Sequence, residues 1–195
     1  MDPLLTRRTL LLRIRTPDDG GAWTEFVGLY EPLLRKYVLL RGVPLQDVED
    51  VVQEVLKTVT QAIRKFEYDP ERGTFRDWLF IVCRSHVTKY RRQNRTESFA
   101  NEKVLEELAA EEKQADWDVE YRRRMFEWAT ERVRPLVQEK TWNAFWLTAV
   151  DDKSGPEVAA TLGMSVGAVH VARSRIIARM REAIASATGE AYEQP

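Results

Sequence analysis

Residues 47–59 read DVEDVVQEVLKTV, and the spacing of their apolar side chains decides the fold class. Val48, Val51, Val52, Val55, Leu56 and Val59, continued by Ile63, recur at three- and four-residue steps, the period of an α-helix with one buried face. At about 100° per residue they share one arc, while Gln46, Asp47, Asp50, Gln53, Glu54 and Lys57 crowd the opposite one. The same period runs through Phe26, Leu29, Tyr30, Leu33, Leu34 and Tyr37 upstream. No segment alternates as a strand would. The chain therefore reads as all-α.

Turn and cap signals divide these helices. Gly42 and Pro44 separate the first two, and Asp69-Pro70 with Gly73 separates the second from a third, which Thr74 can cap with Asp77 three positions on. That third helix, TFRDWLFIVCRSHVTKYRR (74–92), buries Phe75, Trp78, Leu79, Val82, Cys83, Val87 and Tyr90 on one side. Arg84, Thr88, Arg91 and Arg92 project from the other, and a stripe of guanidinium and hydroxyl groups suits a nucleic-acid backbone. His86 and Cys83 sit in or beside the apolar arc and read as packed residues.

A net charge of −1 hides strong segregation. Between Arg84 and Arg95 lie five basic residues and no acid; between Glu97 and Glu120 lie nine acids against Lys103 and Lys113. The local charge matters to a phosphate surface, so the average excludes little. The acidic stretch has only scattered apolar residues (Phe99, Val104, Leu105, Leu108, Trp117) and reads either as a linker with a loose helical turn or as a solvated helix between domains. The expected organisation is two small helical domains, 1–95 and 121–188, joined by an acidic linker at 96–120 and followed by a tail at 189–195. Helices are expected at about 119–134 and 139–150, then a closing pair.

In that pair, Ser154 with Glu157 forms a capping box and Pro156 sits in the first turn. Gly163 supplies a left-handed turn residue and Ser165 caps the next helix. Val166, Val169, Ala172, Ile176 and Met180 are expected inward, exposing Gly167, His170, Val171, Ser174 and Arg181, with Arg173 near the buried arc. This is the pattern of a helix-turn-helix, whose second helix enters the major groove.

Other classes find no support. One cysteine and two histidines leave no disulfide framework and no Cys/His metal cluster, so neither metal nor cofactor is expected. Arginines interrupt the apolar residues of the first 17 positions, which fit neither a signal peptide nor a membrane span, and the chain reads as cytoplasmic. A Gly-rich phosphate loop, a His-Glu-x-x-His motif and a nucleophile elbow are all missing, which argues against an enzyme.

The run Asp47 to Val55, then Phe66 and Asp69 in a turn, then FRDWL (75–79) with Arg91-Arg92, resembles the second conserved domain of the extracytoplasmic-function group of sigma-70 transcription initiation factors. Leu162 to Val169 resembles their fourth domain. The resemblance implies that Asp47, Asp50, Gln53 and Glu54 bind the beta-prime clamp helices of core RNA polymerase, whose beta flap is a further partner. It implies that Tyr68, Arg72, Arg84, Thr88, Arg91 and Arg92 meet the minus-ten element of promoter DNA. Gly167, His170, Ser174, Arg175 and Arg181 would meet the minus-thirty-five element. An anti-sigma factor or a regulatory kinase are the further partners it allows. Ser85 and Lys89 stand where the family often has asparagine and aspartate, and His170 where it often has lysine, so promoter preference does not carry over. The reading from a different class is a stand-alone helix-turn-helix regulator with an N-terminal sensing or partner-binding domain.

Overall fold

The computed structural model describes residues 10–16, 19–63, 74–94 and 102–189, with the backbone alone for 102–113. Among them every regular element is helical: α1 (Leu10–Arg13), α2 (Gly20–Leu40), α3 (Leu45–Ala62), α4 (Phe75–Gln93), α5 (Glu102–Val133), α6 (Glu139–Ala149), α7 (Gly155–Leu162) and α8 (Val166–Thr188), with a 3-10 turn at Arg134–Leu136. The chain divides into two compact units, Met1–Arg124 and Met125–Pro195.

In the first unit, α2 starts where the Asp19 carboxylate accepts from the Ala22 amide at 2.8 Å. Arg13 donates to that carboxylate at 3.0 and 3.2 Å and holds it below the usual carboxylate range. The valines of α3 behave as their period requires, with Val48, Val52, Val55 and Val59 fully buried. Thr74 and Asp77 form a reciprocal capping box at the start of α4. The core is aromatic: Phe26 and Tyr30 meet Phe75 edge-on at 5.9 and 5.6 Å, and Tyr37 meets Phe80 at 5.7 Å.

Pro32 lies inside α2, where it has no N–H to give the Gly28 carbonyl one turn back. Arg124 compensates. Its guanidinium donates to the Gly28 carbonyl at 2.7 Å and to that of Leu29 at 3.1 Å. Charge-assisted bonds to a carbonyl left without its helical donor are worth more than ordinary ones. Arg124→Met is expected to cost about 1–2 kcal/mol, and less in a Pro32→Ala background, where the restored N–H closes the helical bond. Equilibrium denaturation of the four proteins of that cycle measures the coupling.

The segment expected as a linker is different. Residues 102–120 belong to α5, and Trp117 is fully buried, with Tyr37 and Phe80 at 5.3 and 5.7 Å. Asp116 pairs with Arg41 at 3.1 Å, and Arg76 lies 3.6 Å from Asp118 and over the ring of Tyr121. One face of the acidic helix is thus core to the first unit, and the compact unit extends to Arg124, past the expected end at 95. A high local charge does not prevent this, because a helix needs only one apolar stripe.

The second unit packs α6, α7 and α8 around Ala144, Val158, Ala159, Val169 and Ala172. The small alanines let the helices approach closely. Lys140 donates to the Gly163 carbonyl at the end of α7, and Arg179 donates to the Leu136 carbonyl. Among the described residues, no helix is long and apolar enough to cross a membrane.

Candidate nucleic-acid interface

The polar face of α3 stands as its periodicity predicts, with Asp50, Gln53 and Glu54 exposed. Glu54 pairs with Lys57 at 3.3 Å. Glu49, on the flank, is held by Arg35 of α2. Asp47 is different. It is half-buried and accepts a 2.6 Å hydrogen bond from the Tyr90 hydroxyl of α4, which raises the pKa of that phenol. Asp47 is therefore held between helices, whereas the other three project into solvent.

Behind this face, α3 and α4 are joined by the Thr58 hydroxyl and His86 Nε2, 2.8 Å apart. The Thr58 hydroxyl also lies 3.0 Å from the Glu54 carbonyl one turn back. Burial lowers the pKa of His86 and pushes the Cys83 thiol up to about 12. Both read as packed residues, as their arc implies; Cys83 is fully buried and inert as a nucleophile.

The outer face of α4 lines an open depression of about 710 Å³, formed by Ile81, Arg84, Ser85, Thr88, Lys89, Arg92 and Gln93. The Arg84 guanidinium lies over the Phe80 ring, 5.7 Å from its centroid. Three cations and two hydroxyls around an exposed isoleucine can take a phosphate backbone with bases or sugars laid against the apolar centre. Arg84, Thr88 and Arg92 come together here as expected. Arg91 turns aside and donates to the Arg41 carbonyl at the end of α2. Tyr68 and Arg72 lie outside the described residues. Ile81 and Gln93 carry no signal in the sequence reading, and Lys89 stands there only as a base and a departure from the family pattern, although 81, 84, 85, 88, 89 and 92 follow one another at helical steps. Phe80, absent from the expected apolar arc, is 3% exposed, while Trp78, expected in the core, is half-buried against Phe75.

In the second unit, Ser154 and Glu157 form the expected capping box, Gly163 has φ +58°, and the Ser165 hydroxyl accepts from the Ala168 amide at 3.1 Å. α7 and α8 thus meet as a helix-turn-helix pair. Gly167, His170, Ser174 and Arg175 are exposed on α8. Arg181 is not: it is half-buried, with Nε buried and without a partner among the described residues. Ile177 and Ile184, four residues before and three after, bring it to the edge of the packed face. Arg173, expected near that face, is exposed, and so is Val166, in the first turn with no preceding turn to cover it.

Residues 26–97, from α2 through the end of α4, match the family model described as sigma-70 region 2. That stretch of the chain is similar to a sigma-70 region 2. No protein with a curated description matches it. Among solved structures, that of CnrH in complex with the cytosolic domain of CnrY is similar over 90% of this chain and 94% of that one, at 24% identity and a TM-score of 0.37. The family match ends at residue 97, so the reading of α7 and α8 stands on their own caps, turn and exposed face. Groups of three or more His, Cys, Asp or Glu able to hold a metal ion are absent among the described residues.

Proposed function

We propose that this chain is a sigma factor of the extracytoplasmic-function group. It binds core RNA polymerase and directs promoter recognition, DNA melting and initiation, with nucleotide chemistry left to the polymerase. The observation that carries this is the separation of charge inside the region 2 match: exposed Asp50, Gln53 and Glu54 on α3 and exposed Arg84, Thr88 and Arg92 on α4. A single helix pair thereby offers one face to a protein and another to nucleic acid. The α3 face suits a basic or hydrogen-bonding helical partner, the role of the polymerase clamp helices. The α4 face and its depression suit the opened minus-ten strand, where stacking and phosphate pairing together hold a base that has left the duplex. Asp47 contributes through its bond to Tyr90, orienting the start of the acidic face.

In the second unit, His170 and Ser174, one turn apart on α8, are assigned to base edges of the minus-thirty-five element and Arg175 to its backbone. Arg181 lies too deep to share that role fully, so Arg175 is the better test of a phosphate contact.

Transcription in vitro with purified core polymerase and a randomised promoter library tests the whole reading. Specific initiation that depends on the chain is the expected result. Duplex binding without co-purification of polymerase would instead favour the stand-alone regulator. Arg175→Ala is expected to weaken all upstream elements alike and to lower the salt slope by about 1, as loss of one phosphate contact does. A changed order of preference in that variant would place Arg175 at a base edge instead.

A further inference from the structure

α7 opens with Gly155, immediately after the Ser154 cap. The backbone there does not call for glycine: the position is helical, a conformation every L-residue adopts, and glycine is among the weakest helix formers. The neighbour across from it supplies the reason. A methyl group at Gly155 would lie 3.2 Å from Nε2 and 3.4 Å from Cε1 of His170, and 3.5 Å from Cγ1 of Val166. The first of these distances is tighter than ordinary van der Waals contact, so the ring or the backbone would have to give by a few tenths of an ångström. The far end of the exposed His170 side chain therefore lies beside the space that a side chain at Gly155 would fill.

We propose that Gly155 is a specificity-setting position: it leaves the notch that holds the His170 ring in the orientation in which it reads the upstream element. The inference rests on the assignment of His170 to a base edge. Gly155 itself is a positioning residue. A side chain in place of its hydrogen would move the ring by a few tenths of an ångström for alanine and into another rotamer for leucine. Hydrogen bonds to base edges weaken steeply with misalignment, so either displacement alters which base is favoured. A ring already held in place also loses less freedom on binding.

The test uses the full-length chain with core polymerase and selection from a randomised upstream library. His170→Ala is expected to change preference at one or two adjacent base pairs by about 5- to 150-fold, the range of a single base-edge contact. Gly155→Leu should change preference at the same base pairs by at least about 3-fold, and Gly155→Leu/His170→Ala should match His170→Ala alone. Gly155→Ala, which keeps or improves helix propensity, should act in the same direction and guards against a folding failure of the leucine variant. In the free chain, a nuclear Overhauser contact between the His170 ring proton on Cε1 and the Gly155 α-protons is expected. Preference changed by His170→Ala but untouched by both Gly155 variants would overturn the inference while leaving the base-reading role intact. A leucine variant that acts equally without His170, or a missing Overhauser contact, would overturn it in the same way. No change with His170→Ala would remove the base-reading role, and the inference with it.

Discussion

Trp117→Ala is expected to lower the stability of the first unit by about 3–5 kcal/mol, the usual cost of emptying a buried aromatic site. The indole is fully buried, with Tyr37 and Phe80 against it, and the space is walled by α2 and α4 as well as by α5 itself. For a unit of this size that is a fall in melting temperature of roughly 10 °C or more. Trp117→Phe is the control. Nε1 has no hydrogen-bond partner among the described residues, so phenylalanine leaves nothing unpaired and keeps most of the ring. Thermal and urea unfolding of the full-length variants, followed by circular dichroism, decides the matter. An alanine variant as stable as the parent would return residues 96–120 to the role of a linker.

The reason that segment reads as a linker in the sequence is physical. Its charge forms one block, and the block ends at residue 120, between Trp117 and Tyr121. Those two begin a stripe that continues through Met125, Trp128 and Ala129, all buried. The spacing of four, four and three or four residues is as regular as in α3, but a boundary drawn by charge leaves one member in the linker and the rest in the next domain. Averaged acidity reports on the solvated face of a helix and says nothing of the stripe beneath it.

Where caps and periodicity agree, the structure follows the sequence. The boxes at Thr74 and Ser154, the left-handed Gly163 and the valine arc of α3 all stand as expected, because each is a local device whose chemistry is complete within a few residues. Side-chain direction at the margins of an arc is less legible. Arg173, Arg181, Trp78 and Phe80 lie near the border between packed and open faces, where the neighbouring helices decide, and those neighbours are distant in sequence. Asp47 shows the same limit: its place on the acidic arc is readable, but its capture by Tyr90, 43 residues away, is not.

Asp50→Lys/Glu54→Lys is expected to abolish holoenzyme formation at concentrations where the parent chain saturates core polymerase, a weakening of at least about 100-fold. Reversal does more than remove contacts, because placing cations against a surface that receives acids costs several kcal/mol through like-charge repulsion. Folding should scarcely notice. Both carboxylates project into solvent, and the Glu54–Lys57 pair, with side chains 54% and 63% exposed, is worth little. The new lysines at 50 and 54 will repel each other and Lys57 along one helix stripe, at about 0.2–0.5 kcal/mol per pair. The loss of stability is thus held to about 1 kcal/mol. Asp50→Asn/Glu54→Gln separates the two effects, since it removes attraction without adding repulsion and should give an intermediate loss of binding with unchanged stability. Asp47 is left intact because its bond to Tyr90 makes any substitution there structural as well as electrostatic. Sedimentation or fluorescence titration against core polymerase reads the binding, and thermal unfolding of the free variants reads the fold. Normal assembly of the lysine variant would move the polymerase surface off α3. A melting temperature more than about 10 °C lower would make this face a structural one, since the exposed pairs named here account for only a fraction of such a fall.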